Sequence, residues 1–297
     1  MDPAESGQTE RRRSTMTFKL GGDLPVHRLG FGAMRITGKG VWGDPPDPEG
    51  AKRLLRRAVE LGVDLIDTAD SYGPDVSERL IGDAFPEYPP GLVIATKGGL
   101  TRPGPGVWHR DGRPEHLREA LRGSLERLHL DRIDLYQLHA PDPRVPYEES
   151  VQALAEMRDE GLIRHVGISN VTVEELETAL DIVPVVSVQN EYNLGERDSE
   201  DVLEACEERG IAFIPWFPLG SGELLAPGGK VAEVARRVGA TPSQVAIAWL
   251  LARSPVMLPI PGTSKAEHLA ENLGAVDVTL PDEAYDALDR IARPARR

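Results

Sequence analysis

Short apolar runs alternate with amphipathic segments from one end of the chain to the other. Eight runs read as strands: RLGFGAM (28–34), VDLIDT (63–68), LVIATK (92–97), RIDLYQLH (132–139), HVGISN (165–170), VVSVQNEY (185–192), AFIPWF (212–217) and VMLPIPG (256–262). They are rich in Val, Ile and Leu without strict polar alternation, the pattern of strands covered on both faces. Between them the apolar positions shift to helical spacing. Helices are predicted at 48–62, 114–128, 147–161, 172–182, 199–210, 230–239 and 241–254, several ending at a glycine and two opening on a proline. Eight strand–helix units mean either a closed parallel barrel or a doubly wound open sheet. The uniform count favours an α/β fold of the (β/α)8 TIM-barrel type. TFKLGGDLPVHRL (17–29), with Gly21-Gly22 at its turn, predicts an N-terminal β-hairpin cap, and PDEAYDALDRIA (281–292) predicts an extra C-terminal helix.

Composition narrows the class. At 297 residues the chain suffices for one large domain or two ordinary ones, and no Pro/Gly cluster separates two independent patterns. The reading is a disordered, solvated tail over 1–15 and a single barrel domain over 16–297. One cysteine, Cys206, excludes a disulfide framework and a four-cysteine zinc site. A net charge of −14 argues against nucleic acid or an anionic membrane as partner. No window approaches eighteen apolar residues, and the basic N-terminus lacks the apolar stretch of a secretory signal, so a cytoplasmic location is expected. Of 34 basic residues only six are lysines, so a lysine inside an apolar strand stands out.

Candidate chemistry collects at the C-terminal strand ends, where a barrel carries its active site. Asp67, Lys97, His139, Ser169-Asn170, Gln189 and Trp216 all sit there, with Tyr72 five residues past Asp67 in DTADSYG. Singly, each has an ordinary reading: Asp67 as a helix cap, Lys97 snorkelling, His139 satisfied in the core, Tyr72 packing in a loop. Together on one rim they read as a site. A buried Asp67–Lys97 pair keeps the lysine charged, and that charge is expected to lower the Tyr72 phenol from about 10. A neutral His139 orients a carbonyl. No Ser or Cys has a base beside it by motif, and the histidines include no HxH or HExxH pair, so neither a nucleophile nor a metal is expected. A proton donor at a carbonyl needs a hydride source. No GxGxxG opens a βα unit, and a cofactor must therefore lie across the rim.

Carried by GFGAM, DTADSYG, IATKGG, DLYQLH, GISN, SVQNEYN and IPGTS…HLAEN, in that order, the sequence resembles the aldo-keto reductase superfamily from about Leu29 to Asn272. The resemblance implies NADPH-dependent reduction of an aldehyde or ketone, with NADH possible, and a tetrad of Tyr72 as acid, His139, Asp67 and Lys97. It also implies a cofactor held by Gly32, Ala33 and Met34, by Ser169, Asn170 and Gln189 at the carboxamide, and by Trp216 at the ring. Pro218, Leu219 and Gly220 in FPLGSG would cover the pyrophosphate. Gly262, Thr263, Ser264, Lys265, His268, Glu271 and Asn272 would hold the adenosine end. His268 stands where many members carry an arginine, which leaves the 2′-phosphate to Thr263, Ser264 and Lys265. Trp42 and Trp108 in the loops after strands 1 and 3 are candidate pocket walls with His139, and Arg102 or Arg110 lies near the mouth. Those loops resemble a bacterial subgroup that includes pyridoxal reductases, which makes pyridoxal the leading specific substrate. The alternative is a nucleotide-binding regulatory subunit resembling potassium-channel β subunits. The expected partner is a small carbonyl compound, and the chain a monomer or weak homo-oligomer.

Overall fold

A computed structural model of the chain describes residues 16–220 and 224–291. The tail expected over 1–15, Ser221 and Gly222 of the FPLGSG stretch, and residue 292 of the last predicted helix lie outside these residues.

The described chain enters through an antiparallel hairpin, β1 (Thr17–Leu20) and β2 (Leu24–His27). Gly21 in its turn has φ 59°, and a Cβ there would meet the His165 ring at 2.2 Å, so the turn approaches the barrel this closely only with glycine. The sheet strands follow: β3 (Phe31–Gly32), β4 (Leu65–Asp67) and β5 (Val93–Gly98). Next comes a detached antiparallel hairpin, β6 (Leu100–Gly104) and β7 (Val107–Arg110). Then come β8 (Ile133–Leu138), β9 (Ile163–Ser169), β10 (Val185–Gln189) and β11 (Ala212–Phe213). The sheet is parallel, in the order β3-β4-β5-β8-β9-β10-β11. Helices α1 (Pro48–Glu60), α2 (Val76–Ala84), α3 (Pro114–Leu128), α4 (Tyr147–Asp159), α5 (Val173–Ile182) and α6 (Glu200–Arg209) fall between its strands. After β11 come α7 (Lys230–Val238), α8 (Pro242–Arg253), α9 (Ala266–Leu273) and α10 (Asp282–Asp289).

The eighth run closes the ring without becoming a regular strand. Phe213 N donates to the Val256 carbonyl at 2.9 Å, Leu258 N to the Phe213 carbonyl at 2.8 Å, and Gly30 N to the Pro259 carbonyl at 3.0 Å. Pro259 and Pro261 have no N–H to give, so a continuous ladder is impossible there. Arg28 Nε adds a bond to the Met257 carbonyl at 3.2 Å. At this seam a Cβ on Gly262 would lie 2.5 Å from the Gly32 carbonyl oxygen, so the two backbones meet at a distance only glycine permits. The fold is a (β/α)8 TIM barrel with the hairpin cap read from the sequence.

Strand alternation divides the core in two. Leu65, Val93, Ala95, Leu135, Ala212, Leu258 and Ile260 face the barrel axis and pack with Leu20, Leu24 and Val26 of the cap. Ile66, Ile94, Tyr136 and Leu138 face outward into the larger cluster beneath the helices. Two residues further along the inward rows, the side chains turn polar: Asp67 after Leu65, Lys97 after Ala95, Gln137 after Leu135. The cap therefore fills one end of the barrel with hydrocarbon, and the other end is left to chemistry. A register shift in β10 between Val185 and Ser187 turns Ser187 and Gln189 to the polar end, although Val186 packs inside. Among the described residues no helix is long and apolar enough to cross a membrane.

Candidate active site

Lys97 closes β5 with no exposed surface, and its ammonium spends three donors on three acceptors. They go to Asp67 Oδ1 at 2.6 Å, the Thr68 carbonyl at 2.7 Å and Tyr72 Oη at 3.3 Å. The second oxygen of Asp67 accepts from Gln189 Nε2 at 2.9 Å and Gln137 Nε2 at 3.2 Å. Each buried charge is thus both paired and hydrogen-bonded, the condition under which such a pair survives out of water. Burial draws the Lys97 pKa down, but Asp67 and Tyr72 outweigh it and the net shift is upward. The lysine stays charged.

Tyr72 corrects an expectation. Burial is the largest influence on its phenol and outweighs the pull of Lys97, with Asp67 also opposing ionisation, so its pKa is raised rather than lowered. At neutral pH it is a phenol. Because its oxygen accepts from Lys97, its own proton is left to point elsewhere. His139 lies edge-on to it, ring centroids 5.8 Å apart. Burial and then Lys97 push the imidazole pKa well below its usual value, so the ring is neutral, as the sequence suggested. Its Nδ1 lies 3.4 Å from Ser71 Oγ, and its carbonyl accepts from Asn170 Nδ2 at 2.9 Å. A protonated phenol beside a neutral imidazole can give a proton to one side of a carbonyl oxygen while holding it from another.

The expected cofactor residues occupy two stretches. Near the tetrad, Ser169 Oγ donates to the Gln189 carbonyl at 2.6 Å and Asn170 Oδ1 accepts from Trp216 Nε1 at 3.0 Å, which fixes the half-buried indole. Gln189, expected at the carboxamide, donates from its side-chain amide to Asp67 Oδ2 at 2.9 Å. Gly32 and Ala33 are buried, and Met34 is half-buried. Pro218 is buried beside half-buried Leu219 and Gly220, in a loop where Phe217 and Gly220 have φ 57° and 61°. Further along, Gly262, Ser264, Lys265 and His268 are exposed while Thr263 and Asn272 are buried. Thr263 Oγ1 accepts from Lys265 N at 3.1 Å, and Glu271 is engaged by Thr241 Oγ1 at 2.7 Å. Cys206 is buried in α6, where burial pushes its thiol up to about 12. No cluster of metal-binding side chains occurs among the described residues.

On the substrate side, Trp108 of β7 meets Tyr72 edge-to-face at 6.4 Å. Arg102, one of the two arginines expected near the mouth, stacks on Trp108 at 3.5 Å and lies near Trp42 at 5.6 Å, its donors bound to backbone carbonyls. Arg110 Nη1 donates to the Pro141 carbonyl at 3.1 Å.

Residues 28–293 match the model of the aldo/keto reductase family. This chain belongs to that family. An uncharacterised oxidoreductase of Schizosaccharomyces pombe is 52% identical over 273 residues, covering 92% of this chain and 89% of the relative. Pyridoxine 4-dehydrogenase of Escherichia coli is 43% identical over 286 residues, covering 94% and 99%. An aldo-keto reductase from Klebsiella pneumoniae, solved in complex with NADPH, superposes with a TM-score of 0.80 at 26% identity, over 95% of this chain and 96% of that one.

For this aldo-keto reductase, three participants escaped the sequence reading: Gln137, Ser71 and the inward role of Arg102. Gln137 had a usable signal, since it lies two residues before His139 and shares its face of the strand. Ser71 and Arg102 sit in loops, where spacing assigns no direction to a side chain.

Proposed function

We propose that this aldo-keto reductase reduces aldehydes and ketones with NADPH, that Tyr72 delivers the proton, and that pyridoxal, reduced to pyridoxine, is its specific substrate. One observation carries the reading: Lys97 donates to Tyr72 Oη while held by Asp67, so a charged, fully buried lysine stabilises whatever negative charge forms on that oxygen. As the phenol proton moves to the carbonyl oxygen, the phenolate left behind already has its hydrogen bond. Gln137 and Gln189 hold Asp67 in place and Asp67 holds Lys97, so little rearrangement is needed. In the tautomer whose Nδ1 accepts from Ser71 Oγ, the His139 Nε2–H is left to orient the carbonyl.

The donor set suits a dinucleotide. Trp216, pinned through its indole N–H, presents a fixed flat surface to a ring, and Ser169 and Asn170 lie next to it with amide and hydroxyl groups. Lys265 and Ser264 offer an exposed cation and hydroxyl to phosphate. When bound there, NADPH supplies the hydride for the carbonyl carbon. The relative solved with NADPH supports the cofactor, and the 43% identity to a pyridoxine 4-dehydrogenase supports the substrate.

The test is NADPH consumption against a panel of pyridoxal, a nitrobenzaldehyde and a quinone. Tyr72→Phe is expected to lower kcat about 10²–10⁴-fold. Wild-type turnover that survives this change overturns the role of Tyr72. Nucleotide binding without turnover on any carbonyl overturns the enzyme reading in favour of a regulatory module.

A further inference from the structure

Resting on the reading of this rim as a carbonyl-reducing site, we propose that Arg102 is a positioning residue that holds Trp108 as a fixed wall beside Tyr72, so that the site prefers flat aldehydes and takes no contribution from Arg102 as an anion receptor. The arginine begins on the detached hairpin β6–β7, and an isolated two-stranded ribbon is marginal in water unless something anchors it. Arg102 is that anchor. Its Nε donates to the Val107 carbonyl across the hairpin at 3.0 Å. Its Nη1 donates to Val41 at 3.0 Å in the loop after β3, and to Ser71 at 3.1 Å in the loop that carries Tyr72. Its Nη2 reaches the Gly40 carbonyl at 3.4 Å. Three separate segments are tied to one guanidinium, which is only 8% exposed.

The acceptors are arranged for it. Val41 has φ 56°, a left-handed conformation rarely adopted by a β-branched residue, and Gly40 beside it has φ 72°. That strained turn directs two successive carbonyls at Arg102. The face of the guanidinium covers Trp108 at 3.5 Å, and Trp108, itself 38% exposed, meets the phenol of Tyr72 edge-on. Four of the five N–H groups of the side chain are committed to carbonyls and one face to an indole. What reaches the pocket from Arg102 is a rigid aromatic wall rather than a charge. Lysine keeps the charge but has neither the planar fork nor the stacking face.

The experiment uses Arg102→Lys with two readouts. Hydrogen exchange on the ligand-free protein is expected to quicken over residues 100–110 and not in the barrel strands. In steady-state assays the KM for both 4-nitrobenzaldehyde and 4-carboxybenzaldehyde is expected to rise about tenfold, with kcat changing far less. The KM for propionaldehyde is expected to move less than threefold, so selectivity for flat aldehydes falls. Unchanged exchange in the hairpin, or a loss confined to the carboxylated aldehyde, overturns the proposal; the second result makes Arg102 an anion receptor. Equal loss on all three aldehydes also overturns it. If Arg102→Lys does not fold, Trp108→Ala, which leaves the Arg102 hydrogen bonds in place, carries the selectivity readout alone: loss of flat-aldehyde selectivity is expected, and retained selectivity overturns the proposal. A wild-type protein that turns over no aldehyde defeats the proposed function, whereas the exchange result still decides whether Arg102 anchors the hairpin.

Discussion

Lys97 and Lys265 are two of only six lysines, and the barrel treats them in opposite ways. Lys97 has no exposed surface and each of its three donors is assigned. Lys265 is exposed at the start of α9, and among the described residues no carboxylate lies within ion-pairing distance of it. The first lysine is finished before any ligand arrives, and its effect is to hold a field at Tyr72. The second has its charge available, so its contribution depends on what binds. A preorganised charge is expensive to disturb, because its environment was built around it. An available charge is cheap to remove, because water replaces its partner.

Breaking the buried pair should give the largest effect on stability. Lys97→Met leaves the buried Asp67 carboxyl with only the amides of Gln137 and Gln189, and is expected to destabilise the protein by about 3–5 kcal/mol in chemical denaturation. Asp67→Asn together with Lys97→Met removes both charges and should recover much of that loss, while leaving the reductase inactive. A double variant as unstable as the single one would show that Lys97 contributes through packing and not through its pairing with Asp67.

The pH dependence sharpens the comparison from the other side. Burial keeps the Tyr72 phenol above its ordinary value near 10, and a group that must donate a proton is competent below its pKa. Reduction should therefore run level through neutrality and fall only in the alkaline range. His139, held neutral well below its usual value, should add no inflection between pH 6 and 7, taking the ordinary imidazole pKa of about 6.5. A kcat/KM profile that drops with an apparent pKa below about 8 would mean that Lys97 outweighs burial at the phenol, restoring the lowered pKa that charge alone suggests.

The same contrast explains what the sequence made legible. Lys97 was visible because a rare residue type ended an apolar strand, and Asp67 and His139 because each ended a strand too. The inward rows carry this information in a period of two. The sign of the shift on Tyr72 was missed because a neighbouring charge can be read from a motif, whereas depth of burial is a property of the closed barrel. Helices α2 and α9 were missed although their apolar positions, such as Val76, Leu80 and Ile81, have helical spacing. Asp75 and Glu78 do carry the residue types of a helix start, so α2 was open to reading, whereas α9 opens on Lys265, which is no capping residue and makes no side-chain capping bond. The β6–β7 hairpin was read only as a long loop, because all four residues of β7 are exposed and no alternation marks it. The eighth strand was overdrawn for the reason its prolines give. Arg102 was legible as a residue but not as a direction.

Lys265 should give the smallest effect, and its size is what separates the two kinds of lysine. Replacing it with Ala removes an exposed cation whose backbone N–H, bonded to Thr263 Oγ1, remains in place. The loop geometry should survive, so only a contact with ligand is lost. An exposed ion pair is worth ~1 kcal/mol or less, which corresponds to a rise of up to about fivefold in the KM for NADPH. The KM for NADH, which lacks the 2′-phosphate, should be unchanged, as should the melting temperature. Equal effects on both nucleotides would move Lys265 away from the 2′-phosphate and towards the part they share. No effect on either would make it a solvated residue at a helix start. A loss far above tenfold would indicate a desolvated, preorganised contact, and Lys265 would then resemble Lys97 more closely than its exposure implies.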